Sequence, residues 1–161
     1  MGSIVLIDLN TIITTVHHIN PTIIGKGDTP GITHSSRPTS TRCNGSFIIS
    51  NFASADFTEA DLSNANLSYG SNFASADFTG ADLTSADLSY GSNFSGANFT
   101  GADLTNADLS YGSNFNGVNF TKATLTNADL SYSSTFVSAD FTGANLKNVD
   151  FGDSNLTGSI F

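Results

Sequence analysis

Tryptophan is absent, and cysteine and methionine occur once each in 161 residues. With Ser, Thr, Asn, Asp, Gly and Ala dominating instead, the composition is unlike that of an ordinary globular core. The lone Cys43 leaves no disulfide framework within one chain. Lys and Arg number 5 against 14 Asp and Glu, a formal charge of −9, so the basic patches that hold nucleic acid are missing and no direct nucleic-acid partner is expected. Long apolar runs are missing too. The richest stretch, SIVLIDLNTIITTV, is too short and too polar for a membrane span. It is also a poor signal peptide, because its n-region lacks a positive charge and Asp8 interrupts it. The default location is then cytoplasmic, with an extracellular one expected only of a fibre subunit.

Catalytic constellations are equally scarce. His17, His18, His34 and Cys43 are the only groups resembling metal ligands or a nucleophilic pair, and all lie near the N-terminus without zinc-type spacing. No phosphate loop, nucleophile elbow or dinucleotide fingerprint occurs. The repeated carboxylates lack the distinct environments that would separate an acid from a base. The expectation is a non-enzymatic chain without a cofactor.

What the sequence has is a period. Phe or Leu falls at Phe47, Phe52, Phe57, Leu62 and Leu67, then at Phe73, Phe78, Leu83 and Leu88, and so on to Phe151, Leu156 and Phe161. The steps run 5, 5, 5, 6, giving a super-period of 21. Two residues before each lies a small residue such as Ala55, Ala60 or Ala65; the residue just before is usually Asp or Asn, and the one after Ser or Thr. Helices need apolar residues three and four apart, and half-buried strands alternate, so neither fits. A chain that turns after every five residues and closes after four sides makes a square coil, and coils stack one strand spacing apart, roughly 4.8 Å.

The units ADLTSADLS, ADFTGADLT and ANFTGADLT resemble the pentapeptide-repeat family, whose pattern is A(D/N)Lxx. The resemblance covers residues 47–161, where more than twenty consecutive units keep the register. It implies an all-β fold, a right-handed parallel quadrilateral β-helix. It implies no single activity, since the family includes gyrase-binding DNA mimics, immunity-type proteins and members without an assigned role.

The sixth residue always falls at one corner, where the sequence reads Ser-Tyr-Gly-Ser, with Gly70, Gly91 and Gly112 as the extra residue and Ser133 in their place one coil later. Glycine suits a bulge because it tolerates positive φ. Beside it Tyr69, Tyr90, Tyr111 and Tyr132 form a vertical row outside the Phe and Leu columns. Such a row either stacks on itself and stiffens the corner or offers a contact stripe to a partner, another copy or a sugar chain.

Residues 47–161 carry a formal charge of −10 and residues 1–46 one of +1. Asp87, Asp108, Asp129 and Asp150 should form an acidic ladder on the fourth face, and Asn51, Asn72, Asn93 and Asn114 a neutral one on the first. Stacked carboxylates could mimic a phosphate backbone or collect cations. The favoured reading is that Asp and Asn satisfy turn N–H groups in each coil, which explains their presence on every face. The Asn-Phe-Ser and Asn-Leu-Thr sequons follow from the repeat. The column Thr58, Thr79, Thr100, Thr121 and Thr142 is an improbable ice-binding surface, because its flanking position is Asp or Asn.

Residues 1–46 read as a separate region, a β-branched strand followed by an extended Pro-, Gly- and Thr-rich arm with a capping or assembly role. An open top coil exposes strand edges and column ends, and stable repeat proteins cover them. The sequence stops at LTGSIF with Phe161 on the core register, whereas the gyrase-binding members, by resemblance, pair through a C-terminal helical or aromatic module. The expected cover is another copy: Ile4, Val5, Ile7, Leu9, Ile12, Ile13 and Val16 of the arm meeting Phe151, Leu156, Ile160 and Phe161. A head-to-tail contact that does not close generates a filament. The alternative is an acidic DNA mimic that binds a topoisomerase or gyrase-like protein.

Overall fold

The computed structural model describes residues 51–161. The arm lies outside the described residues, and with it the contacts assigned to Ile4, Val5, Ile7, Leu9, Ile12, Ile13 and Val16.

The described chain is a right-handed quadrilateral β-helix, with four ladders of parallel bridges joining each coil to the next. The first ladder runs Asn51, Asn72, Asn93, Asn114, Thr135, Asn155, and the fourth runs Asn66, Asp87, Asp108, Asp129, Asp150. The 21-residue spacing holds on all four faces until Thr135 and Asp140, which pair with Asn155 and Ile160, 20 residues on.

Each regular side closes because the five-residue unit supplies acceptors for its amides. In the unit around Phe57, the Phe57 amide donates to Asp77 O one coil on (2.7 Å), and the Glu59 amide donates to Thr79 O in the same coil (2.9 Å). The Ala60 amide donates back to Phe57 O across the corner (3.0 Å). Asp77 shows what the acidic position does with its own amide, which reaches Ala55 O one coil earlier (2.9 Å). That leaves the amide of Thr58, which donates to Asp56 Oδ1 at 2.9 Å. Asp or Asn once per unit is therefore the acceptor for the one N–H that the ladder cannot reach. Thr135 lacks such an oxygen, and there Asn116 Oδ1 from the preceding coil accepts from the Val137 amide at 2.8 Å.

The third corner residue has positive φ, for example Ser54, Glu59 and Asn64 at 57–60°, the sign pattern of a type II turn. Turned this way, the corner sends Phe or Leu and the small residue two positions before it inward. Phe73, Phe78, Phe94 and Phe99 are wholly buried, with Ala76, Ala81 and Ala97 between them. Rings stack along each column, Phe73 on Phe94 at 4.9 Å and 4°, Phe78 on Phe99 at 4.7 Å and 3°. Adjacent columns meet obliquely, Phe73 with Phe78 at 5.8 Å and 54°. A single coil cannot close over its own apolar residues; only stacking buries them.

At the six-residue corner two successive residues have positive φ, Tyr90 at 54° and Gly91 at 71°, with the same pair at Tyr69–Gly70 and Tyr111–Gly112. The regular turn bond is lost. In its place the serine after the glycine points inward: buried Ser92 donates through Oγ to Ser89 O at 3.0 Å and to Leu67 O of the preceding coil at 3.2 Å. Ser113 and Ser134 reach Leu88 O and Leu109 O at 3.1 and 3.0 Å. This buried serine column satisfies the carbonyls that the extra residue displaces.

Replacement of Gly91 by Ala puts an L-residue at φ 71° and is expected to cost about 1–2 kcal/mol of backbone strain and no steric clash, since no atom outside its chain neighbours lies within 4 Å of the added Cβ and Ser133 holds φ 60° at the equivalent place. Ser92→Ala removes the hydroxyl from two buried carbonyls and should cost about 1–3 kcal/mol. Urea denaturation followed by circular dichroism measures both against the parent; a Ser92→Ala midpoint equal to the parent's would show that the serine does not hold the corner.

Candidate functional site

Two surface features stand out on the rod, a tyrosine stripe and the edge of the final coil. The stripe originates in the six-residue corner. The serines that flank it there, Ser68 and Ser71 among them, are buried, whereas the tyrosine between them is exposed. Tyr69, Tyr90, Tyr111 and Tyr132 stack in sequence at 5.0, 4.7 and 4.6 Å with their planes within 2°. They are 43–56% exposed.

Asp87, Asp108, Asp129 and Asp150 occupy the fourth ladder beside this stripe. Their Oδ1 atoms are engaged in the corner: Asp87 accepts from the Ser89 amide at 3.0 Å and its hydroxyl at 2.5 Å, and Asp129 from the Ser131 amide and hydroxyl at 2.9 and 2.5 Å. Asp108 holds Ser110 in the same way, and Asp150 accepts from the Gly152 amide at 2.9 Å. The Asn ladder of the first face bonds to itself, Asn72 to Asn51 and Asn93 to Asn72 at 3.1 Å. On the second face the Thr79 and Thr100 hydroxyls are tied to their own turns, donating to Asp77 Oδ1 and Asn98 Oδ1 at 2.6 Å. Among the described residues no group of His, Cys, Asp and Glu could hold a metal ion.

The second feature is the edge that follows Phe141. In every earlier coil the amide of the Phe or Leu donates to the next coil; those of Leu146, Phe151, Leu156 and Phe161 find no acceptor among the described residues. Ile160 and Phe161 are 55% and 65% exposed. Phe161 covers Phe141 face to face at 5.2 Å and 10°, and Phe151 meets Phe161 edge-on at 6.3 Å. Leu156 is half-buried against the core.

One corner of this coil is built differently. Between Phe151 and Ser154 the positive φ belongs to the second turn residue, Gly152 at 38°, and not to the third. A Cβ there would lie 2.6 Å from Ser131 Cβ. With the sixth residue missing, the Ser133 amide has no carbonyl above it, and the Asp153 carboxylate takes that place at 2.9 Å while accepting the Ser133 hydroxyl at 3.1 Å. Those two bonds hold the Asp153 carboxyl below its ordinary pKa. Stability linked to it is present above the unfolded-state carboxylate pKa and lost as pH falls through the folded one. Sequence reasoning missed both the buried serines and Asp153. The first had a signal, the Ser on each side of Tyr-Gly; the second had one in the five-residue step from Phe151 to Leu156, where earlier coils step by six.

The family model for pentapeptide repeats matches the chain in eight copies, over residues 50–89, 90–111, 111–134 and 132–161. The chain belongs to the pentapeptide-repeat family. Among solved structures this pentapeptide-repeat chain is similar to HetL, a protein involved in heterocyst differentiation regulation from the cyanobacterium Nostoc, at 25% identity, covering 76% of this chain and 60% of that one, with a TM-score of 0.32. It is similar to a pentapeptide repeat protein of the Arabidopsis thaliana thylakoid lumen at 34% identity, covering 66% and 68%, TM-score 0.36. It is also similar to QnrB1, a plasmid-mediated fluoroquinolone resistance protein, at 22% identity, covering 68% and 61%, TM-score 0.26. The chain thus spans less than two thirds of the length of HetL and of QnrB1. No curated protein matches it.

The tyrosine stripe yields a pH signature. Partial burial between its neighbours, with Tyr132, Tyr90, Asp108 and Asp129 adding negative potential, raises the Tyr111 pKa above its ordinary value. A raised pKa in an acid means that the folded state keeps its proton longer, so stability linked to Tyr111 is complete below the unfolded-state pKa of about 10 and is lost as pH rises through the folded one. Alkaline titration of phenolate absorbance should show a late component that disappears in Tyr111→Phe. A late component that persists in Tyr111→Phe would contradict that assignment.

Proposed function

We propose that this chain is a non-enzymatic structural solenoid that associates head to tail with other copies of itself through the edge formed by residues 146–161. The observation that carries the reading is that edge: ladder amides without acceptors among the described residues, beside the exposed Ile160 and Phe161, on a fold whose earlier coils are each completed by the next. A parallel strand from a second copy supplies what each earlier coil receives, carbonyl acceptors for the four amides and an apolar layer over Phe151, Leu156 and Phe161. Since the donor and acceptor edges are different surfaces, the contact is heterologous and extends into a linear assembly. The β-branched N-terminal arm, a unit separate from the solenoid in this reading, is the segment suited by composition to such pairing.

In Phe161→Asp a charge sits at the contact while the interior columns are untouched. Light scattering should fall to the mass of single subunits with an unchanged β-rich circular dichroism spectrum. A parent that is already monomeric at high concentration would refute self-association.

A second reading is favoured by one observation, the excess of twelve acidic over two basic side chains from residue 51 onward. An acidic rod of this kind suits a DNA mimic that occupies the DNA site of a topoisomerase. Replacing Asp87, Asp108, Asp129 and Asp150 by Asn keeps the turn acceptors and removes four charges. Loss of salt-sensitive gyrase inhibition in that variant would support the mimic; a parent without inhibition, the expected result, supports the structural reading.

A further inference from the structure

We propose that the tyrosine stripe is a site of oxidative phenol coupling, at which a one-electron oxidant joins tyrosines of successive coils into dityrosine and links the coils covalently along one corner.

Two independent observations carry this. The first is geometric. Tyr69, Tyr90, Tyr111 and Tyr132 stand in parallel with centroids 4.6–5.0 Å apart and planes within 2°, so equivalent ring carbons of neighbouring coils face each other at the stacking distance. The rings are about half exposed, within reach of an oxidant, and beside Tyr69, Tyr90 and Tyr111 no atom outside the immediate chain neighbours lies within 4 Å of a Cβ added at Gly70, Gly91 or Gly112. The tilt needed to bring two ring carbons into bonding distance is therefore not opposed by packing around the glycine. The second observation is chemical. From residue 51 to residue 161 the sequence contains no Trp, Cys, Met or His, and all four tyrosines of the chain lie in this one row. An oxidising equivalent delivered to the solenoid has no other readily oxidised side chain to reach.

The step balances as follows. Two phenols each lose an electron and a proton to give neutral phenoxyl radicals; the radicals couple through the carbons ortho to oxygen, and the two ring hydrogens at the new bond move to the oxygens, restoring both phenols. A peroxidase supplied with hydrogen peroxide is the class of oxidant required: one peroxide is reduced to two waters for each carbon–carbon bond. The product is lighter by two hydrogen atoms per bond. Each bond closes a 21-residue loop between neighbouring coils, which restricts the unfolded chain and raises the thermal midpoint.

The test uses two double variants of the full chain with equal tyrosine content. Tyr69→Phe with Tyr132→Phe leaves Tyr90 and Tyr111 stacked at 4.7 Å. Tyr90→Phe with Tyr132→Phe leaves Tyr69 and Tyr111 two coil spacings apart, about 10 Å. Phenylalanine preserves the ring stack, and circular dichroism checks the fold of both. Each is treated with peroxidase and hydrogen peroxide at high dilution, and dityrosine fluorescence and intact mass are read. The expected result is a monomer two hydrogens lighter in the first variant, with at least ten-fold more dityrosine than in the second, and a difference that vanishes when both are oxidised in urea. Equal yields in the two folded variants, or dityrosine found only in dimers of the first, would overturn the proposal. In the parent, peptide mapping should find cross-links between successive tyrosines; links mainly between Tyr69 and Tyr111 or Tyr69 and Tyr132 would also overturn it.

Discussion

One backbone amide per five residues sets the terms for the whole structure. Four of the five amides in each unit find carbonyls through the ladders and the corner, and the fifth, on the residue after Phe or Leu, turns to the side chain two positions earlier. Only a short side chain with an acceptor oxygen can reach it, so Asp or Asn recurs on every face. The same closure forces positive φ on the third corner residue, which is why Gly, Asn and Ser gather there. The acidity of the rod is thus first a property of its turns.

The six-residue corner is where the molecule departs from the uniform square coil. An extra residue costs the regular turn bond, and the structure offsets that loss with a hydroxyl, the buried Ser column reaching two carbonyls in two coils. With both flanking serines buried, the tyrosine is the exposed side chain of the corner. One local solution therefore creates both a register-holding core feature and an exposed aromatic stripe, from four residues repeated at one corner. Where the corner returns to five residues, the compensation is different again: a glycine with its positive φ moved by one position and an aspartate standing in for a missing carbonyl.

Most of the fold was legible in the sequence because a period of five with a phase reset admits few geometries. The inward columns followed from Phe, Leu and Ala alone, and the four-sided coil from the count of 21. The buried serines were not legible, since a small polar residue beside Tyr-Gly reads as solvated until one asks which carbonyls the bulge displaces. Asp153 was hidden for a related reason: it resembles every other Asp in composition, yet its carboxylate bonds to the coil below and not to its own turn. The acidic ladder was legible as a position on the fourth face, but whether its oxygens were free or engaged required atomic distances. The arm contacts lie outside the described residues.

In the proposed head-to-tail assembly, amides of the final coil that have no acceptor among the described residues become paired. Native-state hydrogen exchange resolved by residue tests this directly. In dilute solution the amides of Leu146, Phe151, Leu156 and Phe161 should exchange near open-chain rates while those of Phe99, Leu104 and Phe115 stay protected. As concentration rises, protection should appear at those four edge amides first. Edge amides that exchange equally fast at every concentration would contradict the account.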